Sequence, residues 1–573
     1  MKIYTSHVPP VHIPDESIFT HLFGTRFNEA QASRPAFIDA ETGFAVTRGE
    51  LKELALSCAW GLREEFAKLG GVQLSRGDTL MIFSPNTIAW PVMLFGAVAA
   101  GIRATLANSA YTPREVEHQW NDSGAKVVLV HPALLPVVLE TFKGLGLSPA
   151  QAKQRIIVAD WKVSPETKWS GDFIRLTDIL GKGIFRVEEK FAGELSNETA
   201  YLCYSSGTTG KPKGVETTHK NIVSVVDIVD SFFTPTTSQD VMLGVLPFYH
   251  IYGAVKLLQF PFARELPVVI MTRFDPVEFC RNIEKYKVTF ALIVPPICLA
   301  MAHHPAVTKF NMTTLKFLFS GAAPLSGPLV NAVRKKLATV GADVYVNQGY
   351  GLTETSPTTH LLSLEYSLSK VGSVGQLLPN LEARLVVDDV KDAKEGDSGE
   401  LWLRGPSIMK GYLNNVTATE NAITPDRWFK TGDIAIRDKE GFYYIVDRRK
   451  ELIKYKGFQV PPAELEAVLL QHPAIVDAAV IGIDSEREAT ELPRAYIVHA
   501  KGVKGEEAKK FAKEVKTWVQ KRVAKHKYLR GGVVVVGAIP KSAAGKILRR
   551  ELKEQAKKEI LTEPEFTGAK AKL

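Results

Sequence analysis

The sequence predicts an α/β protein of several domains, a large N-terminal part followed by a small, mobile α+β module. Three observations carry this. Helix and strand patterns alternate through most of the chain, the texture of a layered α/β architecture. From 372 to 446 the texture changes to short strands and glycine turns ("GSVGQ", "EARLVV", "GELWLRG", "GFYYIV"), which predicts a small β-rich subdomain. Five consecutive charges, Asp447 to Glu451, then separate two apolar runs, a place for a hinge. At 573 residues the chain also exceeds what one core can serve.

In chain order, "LKELALSCAWGLREEF" (51–66) carries apolar residues at helical spacing. "TLMIF" (79–83), "KVVLV" (126–130) and "RIIVA" (155–159) are short β-rich runs that fit buried strands. "TAYLCY" (199–204) enters and "GVETT" (214–218) leaves the stretch "YSSGTTGKPKG" (204–214). Thr218 is placed to cap a helix over "HKNIVSVVDIVDSF" (219–232). Beyond the hinge, a compact module of two helices and several strands is predicted to run to about residue 552.

Composition is that of an ordinary globular protein, 45% hydrophobic and 23% charged. The longest apolar run, Ile88–Ile102, stops at Arg103, short of the ~20 residues a membrane helix needs. "MKIYTSHVPP" shows no apolar signal core, so no secretory signal is expected. The cysteines, Cys58, Cys203, Cys280 and Cys298, are widely spaced and predict reduced intracellular thiols, without disulfide or metal use. Residues 501–573 hold 20 Lys and Arg against 8 Asp and Glu, a net +12, while the preceding 500 residues net −3. That admits a nucleic acid, a membrane surface or an anionic small molecule as partner. A solvated helical face over 506–527 accounts for much of it, and no aromatic array or zinc spacing supports nucleic acid.

The polar clusters carry the chemistry. "YSSGTTGKPKG" has the composition of a phosphate grip but is not G-x-x-x-x-G-K-[ST], and Pro212 steers Lys211 away from helix. A loop between two extended segments grips through backbone NH groups and hydroxyls. "LPFYHIYG" (246–253) rings His250 with aromatics, and "SGAAPLSG" (320–327) is a small-residue turn a flat ring could approach. "QGYGLTET" (348–355) sets Tyr350, Thr353 and Glu354 on one tight segment; "WFKTGD" (428–433) ends on Asp433. Far downstream, "PKSAAGKILRR" (540–550) puts Lys546 after Gly545. Taken singly, each has a structural explanation; their order along one chain does not.

In that order the clusters resemble the adenylate-forming superfamily: acyl- and aryl-CoA synthetases, beetle luciferases and peptide-synthetase adenylation domains. "LPFYHIYG", "QGYGLTET" and "KELIKYKGFQVPPAELE" look like the 4-coumarate–CoA ligase branch, and "HKYLRGG" (526–532) is similar to fungal aryl-CoA ligases such as phenylacetyl-CoA ligase. The resemblance implies an N-terminal adenylation domain (1–446) of two α/β subdomains plus the β-rich one. A hinge (447–451) centred on Lys450 and a C-terminal lid (452–573) would follow. It implies an ATP-dependent acid–CoA ligase passing through acyl-AMP, with Mg²⁺ and coenzyme A. Ser205, Ser206, Gly207, Thr208, Thr209, Gly210, Lys211 and Lys213 would hold the β- and γ-phosphates. Thr353 would contact the α-phosphate and Glu354 the Mg²⁺. Tyr350, Gly351 and the turn Gly321, Ala322, Ala323 would flank adenine, and Asp433 and Arg448 would bind ribose. Lys454 and Gln459 match nucleotide-phosphate contacts, while Lys456 and Gly457 fall in the segment that meets CoA. Lys546 would bridge carboxylate and α-phosphate.

The acyl pocket implied by the resemblance involves His250 as gate with Tyr252, Lys256, Ala323, Gly349, Gly351, Pro357 and Thr358. "HIYGAVK" lacks the aspartate of amino-acid-activating relatives, which disfavours an α-amino acid. Lys256 has two readings. On a helix it is expected to snorkel to solvent; facing the pocket, it would pair with a distal carboxylate or phenolic oxygen. The final "AKL" resembles a peroxisomal address, implying an import receptor as partner and the peroxisome, or else the cytoplasm, as location. A luciferase-like oxidase and a medium-chain acyl-CoA synthetase are the alternatives.

Overall fold

The computed structural model describes all residues except 163–170, 206–211, 234–236, 238, 457, 486–487, 489, 543–544 and 561–573. Two mostly parallel sheets build the large part. In the first, strand Thr79–Phe83 lies between Arg103–Ala107 and Ala125–Val130, and all five of its residues are buried. Such a strand, covered on both faces, reads as an unbroken apolar run, which is why "TLMIF" is legible. The second sheet has Phe290–Ile293, Phe317–Ser320 and Tyr345–Gly351 in parallel. Thr358–Leu361 closes antiparallel on the last of these.

The "YSSGTTGKPKG" stretch joins neighbouring antiparallel strands, Thr199–Ser205 and Lys213–Thr218, with Lys213 opposite Ser205. Ser206 to Lys211 lie outside the described residues. Thr218 caps the next helix, His219–Phe232, accepting from the Asn221 amide at 3.1 Å. A third, antiparallel sheet holds Glu382–Val387, Gly399–Arg404, Phe429–Arg437 and Tyr443–Arg448. Its edge is extended by Tyr4–Thr5, a pairing across the whole large part that nothing in the local sequence announces.

The apolar core of the large part extends to Tyr443, and a separate core begins at Ile453. In that second unit, strands Ile475–Ser485, Thr490–His499 and Val533–Val535 form one sheet. Helix Gly505–Gln520 buries Phe511, Val515 and Val519 and leaves its charged face to solvent. The module has three described helices rather than two: beside Pro462–Leu469 and Gly505–Gln520 runs Arg549–Ile560, past residue 552. Among its residues of described burial, Leu552 and Ala556, one turn apart, are the buried apolar ones, too thin a stripe to stand out among its charges. All four cysteines are buried and free. No helix among the described residues is long and apolar enough to cross a membrane.

Arg549 staples this module. Its Nε donates to Glu451 at 2.8 Å and its Nη1 to Glu466 at 2.5 Å, with the arginine side chain 13% exposed. Removing one partner of a buried pair strands the other charge, at about 3–5 kcal/mol. Arg549→Met is therefore expected to unfold the C-terminal module at lower urea than the large part, separating one transition into two. An unchanged denaturation curve would refute the staple.

Candidate active site

A cavity of about 1250 Å³ lies where the sheets of the large part and the C-terminal module meet. At its polar end, Asp433 and Arg448 are opposite one another on adjacent strands, so register alone brings them together. Arg448 Nε forms an ion pair with Asp433 Oδ1 at 3.3 Å, and the Tyr350 hydroxyl donates to Oδ2 at 2.5 Å. Asp433 is 3% exposed; burial pushes its pKa up, opposed by Arg448, the Tyr350 hydrogen bond and Lys546. This places one carboxylate between a ring and a guanidinium, a geometry suited to hydroxyls and anions.

The "QGYGLTET" turn depends on glycine. A Cβ on Gly351 would stand 1.7 Å from the Pro357 carbonyl oxygen. The backbone then turns through Thr353–Thr355 and presents Thr353 and Glu354 to the cavity. Glu354 Oε1 accepts from the Tyr412 hydroxyl at 2.9 Å, and the Lys213 Nζ sits 4.0 Å from the centre of the Tyr412 ring. Ser205 lines the same space. Among the described residues no group of three His, Cys, Asp or Glu is gathered for a metal. A metal at Glu354 would thus have one protein carboxylate and take other ligands from a substrate, the habit of Mg²⁺.

Lys546 comes from the other module. Lys541 anchors its turn through Asp477 at 2.7 Å, and Gly545 takes φ +78°. A Cβ at Gly545 would lie 3.0 Å from Pro296 of the large part, so the turn packs closely there. Lys546 lines the cavity together with Thr353, Glu354 and Arg448. Burial and then the Arg448 charge lower its pKa, while Glu451, Asp433 and Glu354 support the ammonium. Lys450, Lys454 and Gln459 line the cavity too, the last two as cross-strand partners. Lys456 does not; it pairs with Glu488 at 2.9 Å. Gly457 lies outside the described residues.

The less polar end is lined by Tyr252, Gly349, Pro357 and Thr358, with Gly321 so close beneath Tyr252 that a Cβ would meet its ring at 3.1 Å. Ala322 lines the cavity with φ +67°, whereas Ala323 does not line it. His250 begins a helix, its Nδ1 accepting from the Tyr252 amide at 3.2 Å. The expectation that Lys256 snorkels to solvent is overturned. It is 5% exposed, lines the cavity, and stands one turn after Tyr252 and one before Phe260 on the same helical face. Its helix is wrapped by the core, leaving no solvent for the stem to reach. Sequence reasoning also missed Tyr412 and Tyr111, which line the cavity: an aromatic in a two-residue strand and one in a loop carry no distinguishing pattern.

Two family models match the chain, AMP-binding enzyme over residues 25–413 and AMP-binding enzyme C-terminal domain over 464–546. A probable 4-coumarate–CoA ligase from Dictyostelium discoideum is 37% identical over 503 residues, 85% of this chain and 87% of the relative. Peroxisomal OPC-8:0-CoA ligase 1 from Arabidopsis thaliana is 34% identical over 555 residues, covering 96% and 95%. Among solved structures, o-succinylbenzoate CoA synthetase from Bacillus subtilis, in complex with the acyl-adenylate intermediate, aligns with TM-score 0.74. It is 26% identical and covers 96% of this chain and 99% of that one.

Burial, with the Lys546 charge adding to it, pushes His250 down to about 4. Its imidazole is expected to stay neutral from pH 8 to about 5 in histidine-labelled NMR spectra, identified by subtraction of His250→Asn. Lys546→Ala should move the midpoint upward, since one repelling charge is removed. A midpoint at the usual histidine value in the intact protein would contradict the geometry.

Proposed function

The chain belongs to the AMP-binding enzyme family, and from that premise we propose how its cavity works as an acid–thiol ligase. The activity is that of an AMP-forming acid–CoA ligase: ATP, a carboxylic acid and CoA are its substrates. The observation that carries the mechanism is the entry of Lys546, from the second core, into the space lined by Thr353, Glu354 and Arg448.

A carboxylate is a poor electrophile. In the first half-reaction a carboxylate oxygen of the acid attacks the α-phosphorus of ATP, the bond to the bridging oxygen breaks, and pyrophosphate leaves with its electron pair. Negative charge gathers on phosphoryl oxygens, so positioned cations and donors do most of the work. Ser205 through Lys213 would hold the β- and γ-phosphates, Thr353 the α-phosphate, and Asp433 with Arg448 the ribose hydroxyls. Tyr350, Gly321 and Ala322 would flank adenine. Lys546 would span carboxylate and α-phosphate, a point charge on a flexible stem. Glu354 would hold the Mg²⁺, which supplies charge neutralisation to the phosphates. Neutral His250 would align the acid. In the second half-reaction the CoA sulfur attacks the acyl carbon, the bond to AMP oxygen breaks, and the thiol proton passes to solvent.

In this reading the small module takes a different placement for each step, withdrawing Lys546 when the thiol enters. Lys450 is proposed as the pivot, with Lys456 and Gly457 turning towards CoA; hinges of a few residues commonly absorb such rotations. The basic C-terminal module would meet polyanionic CoA, and no nucleic acid is required. A peroxisomal location completes the proposal. It is supported by one relative whose name carries that compartment.

Lys546→Ala is expected to slow acid-dependent pyrophosphate release by about 10²–10³-fold. Thioester formation from supplied acyl-AMP and CoA should fall far less. Equal loss in both halves, or wild-type release, would refute the role. Product analysis separates ligase from oxidase: thioester supports the ligase, whereas carbon dioxide and light would favour the luciferase-like alternative. A fluorescent fusion carried in cells with and without residues 571–573 tests the compartment; peroxisomal signal lost on removal is expected, and uniform cytoplasmic signal in both refutes it.

A further inference from the structure

Lys256 is a buried amine at the apolar end of the cavity, without a partner among the described residues. It is 5% exposed, its Nζ is shielded from water, and no hydrogen-bond partner reaches it among the described residues. Phe233, Phe260, Phe290 and Leu292 line the same end, and the ammonium lies 5.3 Å from the Phe260 ring centre. Burial alone, without an opposing or supporting charge, drives its pKa down to about 7. A lone ammonium in such surroundings is costly unless something pairs with it. A mere filler of this space would be Leu or Met.

The helix sets the distance. His250 caps it and Tyr252, Lys256 and Phe260 follow on one face, through a π-helical segment Ala254–Gln259 of the kind that often marks functional sites. Lys256 therefore enters the cavity a turn further along than Tyr252 and away from His250. His250 and Lys546 mark where the reacting carboxylate would lie.

We propose that Lys256 recognises a second, distal acidic oxygen on the acid, so that the natural substrate is polar at both ends: an ω-carboxylate or a phenolic hydroxyl opposite the reacting carboxylate. The Nζ–H donates to that oxygen inside the apolar sleeve, and the paired charge replaces the hydration each group gives up. This rests on the ligase reading and narrows its substrate class.

The test is kcat/KM for acid-dependent pyrophosphate release with two matched pairs. One compares an ω-dicarboxylic acid with the monocarboxylic acid of equal length; the other compares 4-hydroxycinnamic with 4-methylcinnamic acid. The enzyme is expected to prefer the distal oxygen in at least one pair by about 10- to 100-fold, the worth of a charge-assisted hydrogen bond, expressed mainly in KM. Lys256→Met keeps the stem and removes the charge, and should shrink that preference to about threefold or less. Lys256→Gln keeps a donor without charge, so a phenolic preference survives in part and a carboxylate preference is lost, which identifies the source. If Lys256→Met fails to fold, the wild-type ratio and Lys256→Gln decide alone. Equal rates within both pairs, or a ratio unchanged in Lys256→Met and Lys256→Gln, overturns the inference while leaving the ligase intact. Absence of pyrophosphate release with every acid overturns both.

Discussion

The structure turns on positive charge brought into one confined space from two separately folded units. Arg448, Lys450 and Lys213 approach from the large part, Lys454 and Lys546 from the small one. These charges repel each other, and burial disfavours the Lys546 ammonium further. Asp433, Glu354 and Glu451 offset part of that cost. The balance leaves a site whose two walls are held together best when a polyanion lies between them.

That constraint links chemistry to motion. Around Gly545 the small module's turn lies close against Pro296 and Val294 of the large part. The two units have separate apolar cores, and units cored separately can move relative to one another. A triphosphate adds attraction across the cleft while it is bound. Once pyrophosphate departs, that attraction would fall, which favours the withdrawal of Lys546 in the proposed rotation. The reaction's own change in charge would thus favour the rotation proposed for the second half-reaction. Arg549 ties Glu451, beside the proposed pivot, to Glu466 in the module's first helix.

The sequence is most informative where local rules agree with tertiary packing. Thr79–Phe83 is a buried strand because its apolar run has no alternation, and Thr218 caps its helix because Asn221 sits three residues on. The "QGYGLTET" turn is legible through its glycines, since Gly351 alone fits against Pro357. Long-range pairings are not legible. Tyr412 reaches Glu354 across 58 residues, and Tyr4 pairs with Ala383 across the large part. Neither position carries a periodicity or a turn residue that could announce it. The third described helix of the C-terminal module was hidden because two buried residues do not make a visible stripe.

Lys256 shows a different limit. Helical spacing puts it on one face with Tyr252 and Phe260, yet spacing says nothing of what that face meets. Two buried lysines now stand at opposite ends of one cavity, and their surroundings differ. Lys546 has three carboxylates near enough to support its charge. Lys256 has aromatic and aliphatic walls, and burial alone shapes its protonation. At the first, carboxylates of the protein offset part of the cost of burial before any ligand arrives. The second is left for the ligand to neutralise, which makes it a detector: its stabilisation depends on what enters. Selectivity built this way comes from the penalty of leaving a buried polar group unpaired when the wrong acid binds, and that penalty exceeds what shape alone can supply in an apolar pocket.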